Sequence, residues 1–117
     1  ALPICRLYNL VKEAQRLAIE TIKPGIEIGA VDKTVRQFFK KNKVNTYFTH
    51  ALGHGIGLEV HESPSLIYTA KGVLEENMVL TVEPGLYLED WGGIRIEDMI
   101  RVTATGCEQL SDFPLFL

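Results

Sequence analysis

All three histidines of this 117-residue chain, His50, His54 and His61, fall within one stretch, THALGHGIGLEVHE, from Thr49 to Glu62. Gly53, Gly55 and Gly57 run through it, so the backbone can turn tightly and other groups can approach closely. Neutral imidazole is the commonest metal ligand and the usual acid or base near neutral pH. A metal or catalytic site is therefore expected here, with its acidic members supplied from elsewhere. Two glutamates qualify. Glu83 ends the apolar run Met78–Val82 and precedes Pro84, so its carboxylate emerges from a buried strand into a loop or cleft. Glu97 lies in an alternating stretch, where Arg95 and Glu97 point one way. Ile94, Ile96, Ile100 and Val102 point the other way, with Asp98 among them. A solvated strand end, or a polar sheet face carrying an Arg–Glu pair, would account for either glutamate alone. The set is what points to a site. One imidazole and two carboxylates suit Zn, Mn, Co or Fe. The GHGIG run lacks the Lys-Ser/Thr ending and following helix of a phosphate loop.

The elements that must position these groups are legible by periodicity. Leu7, Leu10, Val11, Ala14, Leu17, Ala18 and Ile22 have helical spacing, with Lys12, Glu13, Arg16 and Glu20 on the outer face. Pro24 and Gly25 end that helix. A second helix is expected over Ala30–Lys41, with Val31, Val35, Phe38 and Phe39 inward. Both helices are read as structural. Val44–Thr49, β-branched and aromatic, reads as a short strand leading into the histidines. Glu62-Ser63-Pro64 reads as a turn followed by a loop to Gly72, and Val73–Asn77 as turn-like. Met78–Val82 is a buried strand, and Leu86–Leu88 continues extended. Asp90–Gly93 is a turn, Ile94–Thr103 the longest strand, and Phe113–Leu117 an apolar edge. Two helices followed by mainly antiparallel strands make the class α+β.

Length and composition bound the rest. The chain allows one domain with a modest core, and its 46% apolar and 23% charged residues are ordinary for a globular protein. A net charge of -3 argues against a general nucleic-acid binder, and Lys40, Lys41 and Lys43 read as a solvated helix end. No apolar run is long enough to cross a bilayer. Neither nucleic acid nor membrane is expected as a partner. ALPICRLYN lacks the features of a signal peptide, and Cys5 and Cys107 lack metal-ligand spacing. Reduced thiols in a cytoplasmic protein are the expectation.

Taken together, FTHALGHGIGLEVHE, LTVEPGLY and GGIRIEDMIRVT resemble the metallopeptidases with the pita-bread fold. That family includes Xaa-Pro aminopeptidases, Xaa-Pro dipeptidases (prolidases) and methionine aminopeptidases. The blocks occur in the family's order, and the helix ending in IKPG is similar too, so the likeness runs from about Leu7 onward. His50 four residues before His54, and Arg95 two before Glu97, point to the Xaa-Pro branch. The resemblance implies a metal-dependent hydrolase with two divalent ions, manganese foremost. It makes His54, Glu83 and Glu97 metal ligands, Glu97 bridging both ions and Glu83 doubling as general base. His61 would steady the tetrahedral intermediate, His50 would line the substrate pocket, and Arg95 would orient the site near Glu97. The implied substrate is a short peptide with proline second, and the implied full-length assembly is a homodimer.

The family also carries two aspartate ligands on strands upstream of the first helix. Here the only aspartate before His54 is Asp32, at the start of the second helix. Residues 1–117 are therefore expected to be the C-terminal portion of a single catalytic domain. That portion lacks the aspartate-bearing strands and the N-terminal domain. At most one ion is expected, with weak or no activity from the chain alone. A methionine-type aminopeptidase and a non-enzymatic peptide- or protein-binding module on the same fold are the alternatives.

Overall fold

A computed structural model of the chain describes residues 4–56 and 62–111. Two amphipathic helices open it, α1 (Ile4–Thr21) and α2 (Ile28–Lys41). In α1, Leu7, Leu10, Val11, Ala14 and Ala18 are buried, as their spacing requires, while Leu17 is half-buried. Fully burying a leucine- or valine-sized side chain contributes about 1.5–3 kcal/mol, so this face anchors the helix. Beyond Pro24, Gly25 adopts φ +88°, and its N–H donates to the Leu74 carbonyl at 2.9 Å. Helix α2 buries Val31, Val35 and Phe39, leaves Phe38 half-buried, and ends with Lys40 and Lys41 exposed. Cations there complement the negative end of the helix dipole.

Among the described residues seven strands follow: β1 (Gly53–Gly55), β2 (Glu62–Leu66), β3 (Val79–Val82), β4 (Gly85–Leu88), β5 (Gly92–Arg95), β6 (Asp98–Val102) and β7 (Cys107–Gln109). Five form one sheet in the order β2-β1-β3-β6-β7, and β4 and β5 pair as a separate ribbon. Every pairing is antiparallel. Leu80, Val82, Ile100 and Val102 join the helix residues in a single core. Two helices on a mainly antiparallel sheet is the expected α+β architecture.

Three local expectations are corrected. Val44–Thr49 is not a strand, because Asn45–Tyr47 forms a 3₁₀ turn. Val44 and Phe48 are both buried, and a helical turn brings residues four apart to one side. Phe48 meets Phe39 edge-on at 5.4 Å between centroids. This packing overrides the β-propensity of the segment. Next, Glu62–Leu66 is strand β2 rather than a turn and loop. Pro64 is tolerated because β2 lies at the sheet's edge, beside a register shift. Finally, Ile94–Thr103 is broken at Ile96 and Glu97 into β5 and β6. Alternation survives the break: Arg95, Glu97 and Met99 are exposed, while Ile96, Asp98, Ile100 and Val102 are buried. The expected edge at Phe113–Leu117 lies outside the described residues, as does His61.

Candidate metal centre

His54 owes its position to the glycine before it. A Cβ on Gly53 would lie 1.8 Å from the Thr81 carbonyl oxygen, so only glycine lets β1 close this far onto β3. The contact is sealed by the His54 N–H donating to Thr81 Oγ1 at 3.0 Å, and by the Glu83 N–H donating to the Leu52 carbonyl at 2.7 Å. Between His54 and Gly55 the β1–β2 register shifts, a bulge of the kind that re-aims a side chain. The His54 ring places Nδ1 2.9 Å from the Gly55 carbonyl oxygen. A carbonyl accepts only, so Nδ1 is the donor of this bond and Nε2 is the ring nitrogen turned toward Glu83. Nε2 sits 3.7 Å from Glu83 Oε2.

The two glutamates are placed by a single register running through two sheets. Strands β3 and β6 pair Val79 with Arg101 through Val82 with Asp98, while β4 and β5 pair Gly85 with Arg95 through Leu88 with Gly92. Carried through the gap, this register sets Glu83 opposite Glu97 and Pro84 opposite Ile96. The Ile96 N–H donates to the Pro84 carbonyl at 3.2 Å. Proline has no N–H to return the bond, so the ladder lapses and the ribbon bends there. The register thus carries Glu83 and Glu97 toward facing positions at the bend, each just outside the paired strands. Thr81, two residues before Glu83, pairs with Met99, two after Glu97, so all four share one face of the sheet.

On that face lies an open cleft of about 350 Å³ lined by His54, Ile56, Thr81, Glu97, Asp98, Met99 and Ser111. Asp98 is held there by Ser111 Oγ at 2.7 Å and Gln109 Nε2 at 3.3 Å, which accounts for a buried carboxylate among isoleucines.

The donor set fits a divalent ion in kind. Two ligands about 2.1 Å from one tetrahedral ion stand about 3.4 Å apart, close to the His54–Glu83 separation. Glu97 lines the cleft with His54, whereas Glu83 lies outside its lining, so the set is not closed. Among the described residues, no three His, Cys, Asp or Glu side chains converge as a finished site.

His50 is fixed at both ring nitrogens: Nε2 lies 2.8 Å from the Tyr87 hydroxyl and Nδ1 2.6 Å from the Ala51 carbonyl oxygen. With Nδ1 donating to that carbonyl, the tyrosine donates to Nε2. Sequence reasoning missed Tyr87. The signal was the pair of glycines around it, since a Cβ on Gly85 or Gly93 would lie 2.5 or 2.4 Å from its side chain. Arg95 stands exposed on β5, on the face it shares with Glu97. Asp32, the aspartate that cannot serve as an upstream ligand, is fully buried in α2. Burial pushes its carboxyl above the usual carboxylate range, against the pull of the Arg36 guanidinium, the Tyr68 N–H and His50.

The fold and the blocks define a class, and comparison with known proteins agrees. The model of metallopeptidase family M24 matches residues 3–104, and the chain belongs to that family. An Xaa-Pro dipeptidase of Pyrococcus furiosus is 43% identical over 105 residues, which cover 90% of this chain and 30% of that protein. The solved Xaa-Pro dipeptidase of Bacillus anthracis superposes with a TM-score of 0.94 at 42% identity, covering 97% of this chain and 32% of that one. The X-Pro aminopeptidase of Thermotoga maritima superposes at 0.92 with 41% identity, over 95% and 32%. The architecture is thus part of the pita-bread fold, and the chain spans about 30% of the length of the relatives it matches. No helix among the described residues is long and apolar enough to cross a membrane.

Proposed function

We propose that this chain is the C-terminal portion of the catalytic domain of an Xaa-Pro peptidase. In this reading the full-length protein hydrolyses the bond before proline in dipeptides or at peptide N-termini. The observation that carries it is the bend that sets Glu83 opposite Glu97, with His54 Nε2 3.7 Å from the Glu83 carboxylate. One imidazole and two carboxylates make a donor set suited to a divalent cation. His54, Glu83 and Glu97 are the ligands, and manganese is the foremost candidate ion. A bound divalent ion would lower the pKa of the attacking water and polarise the scissile carbonyl.

The chain's own residues have distinct tasks. Glu83, rooted at the end of a buried strand, accepts the proton of the attacking water. The His54 N–H bond to Thr81 and the Nδ1 bond to Gly55 hold its imidazole in one orientation. His50, locked by Tyr87, presents a fixed wall to the substrate. Arg95 orients Glu97 from the same face, and His61 supplies charge stabilisation to the intermediate. The two remaining ligands of a dinuclear site and the N-terminal domain belong to the rest of the full-length protein, which we expect to be a cytoplasmic homodimer.

The test is hydrolysis of an Xaa-Pro dipeptide and a longer Xaa-Pro peptide by the full-length protein, with Glu83→Gln as control. Proline-dependent cleavage lost in Glu83→Gln supports the reading. Removal of an initiator methionine without proline preference would reassign the branch, and peptide binding without any hydrolysis would make it a binding module.

A further inference from the structure

The described histidines enter and leave through the β1–β2 hairpin, whose base is gripped by a carboxylate that the proposed chemistry does not use. Asp32 Oδ2 accepts from Arg36 Nε at 2.9 Å, one helical turn on, and from the Tyr68 N–H at 2.6 Å, two residues beyond β2. Arg36 Nη2 donates to the His50 carbonyl at 2.8 Å, four residues before His54. The same guanidinium lies over the rings of Phe48 and Tyr68, 4.5 and 4.9 Å from their centroids. Gly29 admits the returning chain, since a Cβ there would stand 2.7 Å from the Tyr68 carbonyl oxygen. One ion pair in α2 therefore ties down both the incoming chain at His50 and the outgoing chain at Tyr68.

An ion pair with its carboxylate buried is a poor device for stability alone, because desolvation offsets much of the attraction. Among the described residues, Asp32 Oδ1 is buried without a hydrogen-bond partner. What apolar residues cannot do is fix two backbone points in direction as well as distance. We infer that Asp32 and Arg36 are positioning residues for His50, setting its backbone while Tyr87 sets its ring. This rests on reading His50 as a wall of the substrate pocket. Through the four residues that follow His50, the same clamp sets where β1 delivers His54.

The test uses the full-length protein, an Xaa-Pro dipeptide, and the NMR resonances of the His50 imidazole. Asp32→Asn and Arg36→Met are each made alone and in a His50→Ala background. The paired variant Asp32→Asn/Arg36→Gln leaves no unpaired buried charge and serves where a single change prevents folding. We expect each change to lower kcat/KM about tenfold or more, as small misplacements at a site do. We also expect it to shift the His50 resonances and to add almost nothing once His50 is alanine, since residues acting through one another are non-additive. Equal fold-losses in both backgrounds, or unmoved His50 resonances, would overturn the inference. If the unaltered protein cleaves no proline-containing peptide, the functional reading fails, while the His50 resonances still decide the clamp.

Discussion

Gly53→Ala is the sharpest local perturbation the structure offers. The added methyl carbon would sit 1.8 Å from the Thr81 carbonyl oxygen, 2.7 Å from its carbon and 3.0 Å from Thr81 Oγ1. A comfortable carbon–oxygen contact needs about 3.3 Å, so β1 and β3 must part by roughly 1.5 Å. The neighbouring bonds cannot survive that intact. The His54 N–H to Thr81 Oγ1 (3.0 Å) and the Glu83 N–H to Leu52 (2.7 Å) flank the clash. Each such bond is worth about 0.5–1.5 kcal/mol net, and overpacking adds about 1–3 kcal/mol. A loss of about 2–6 kcal/mol is expected, with His54 displaced from Glu83 and metal affinity reduced. Gly106→Ala is the matched control, because nothing lies within 4 Å of its added carbon. It should be neutral or slightly stabilising. Denaturant unfolding of both variants beside the unaltered protein, without metal, decides the matter. Equal midpoints for Gly53→Ala and Gly106→Ala would refute the close-approach argument.

Three further outcomes follow from the same geometry. Glu97→Gln should leave the metal-free protein nearly unchanged, because Glu97 is exposed, and should reduce the stabilisation gained from manganese; thermal unfolding with and without Mn²⁺ reads both, and an undiminished gain would contradict the assignment. Tyr87→Phe should cost about 0.5–1.5 kcal/mol and raise KM, because it deletes the hydroxyl bonded to His50; unchanged His50 resonances would contradict that bond. The carboxyl of Asp32 is raised in the folded chain, so the native state holds its proton more tightly than the unfolded state. Its contribution is therefore largest at acid pH and falls as pH rises from about 3.9 through the raised value. The stability difference between the unaltered protein and Asp32→Asn should shrink over that window, and a difference that grows with pH would contradict the assignment.

Helix α1, strand β3 and the two faces of Ile94–Val102 were legible because each is written in a local period of burial. The break at Ile96 and Glu97 was not, because a bend that preserves alternation leaves no mark in the pattern; only the long-range partner, Pro84 opposite Ile96, creates it. Val44–Thr49 misled because Val44 and Phe48 are strand-formers whose four-residue spacing also suits one helical turn, and the deciding neighbour is Phe39 on α2. Pro64 read as a turn because sequence alone does not tell an edge strand from a loop. In the site, His54, Glu83 and Glu97 stood out by residue type beside strands and glycines. Tyr87 and the Asp32–Arg36 clamp did not, since each acts through a contact tens of residues distant. An aspartate early in a helix looks the same whether it faces water or a guanidinium one turn on.

The central claim is that His54, Glu83 and Glu97 together hold a divalent ion. Titrating Mn²⁺ into the metal-free 117-residue chain, beside His54→Ala and Glu83→Gln, tests it most directly. One ion per chain is expected, abolished by His54→Ala and weakened by Glu83→Gln. No binding by the unaltered chain, or binding that both variants leave unchanged, would contradict it.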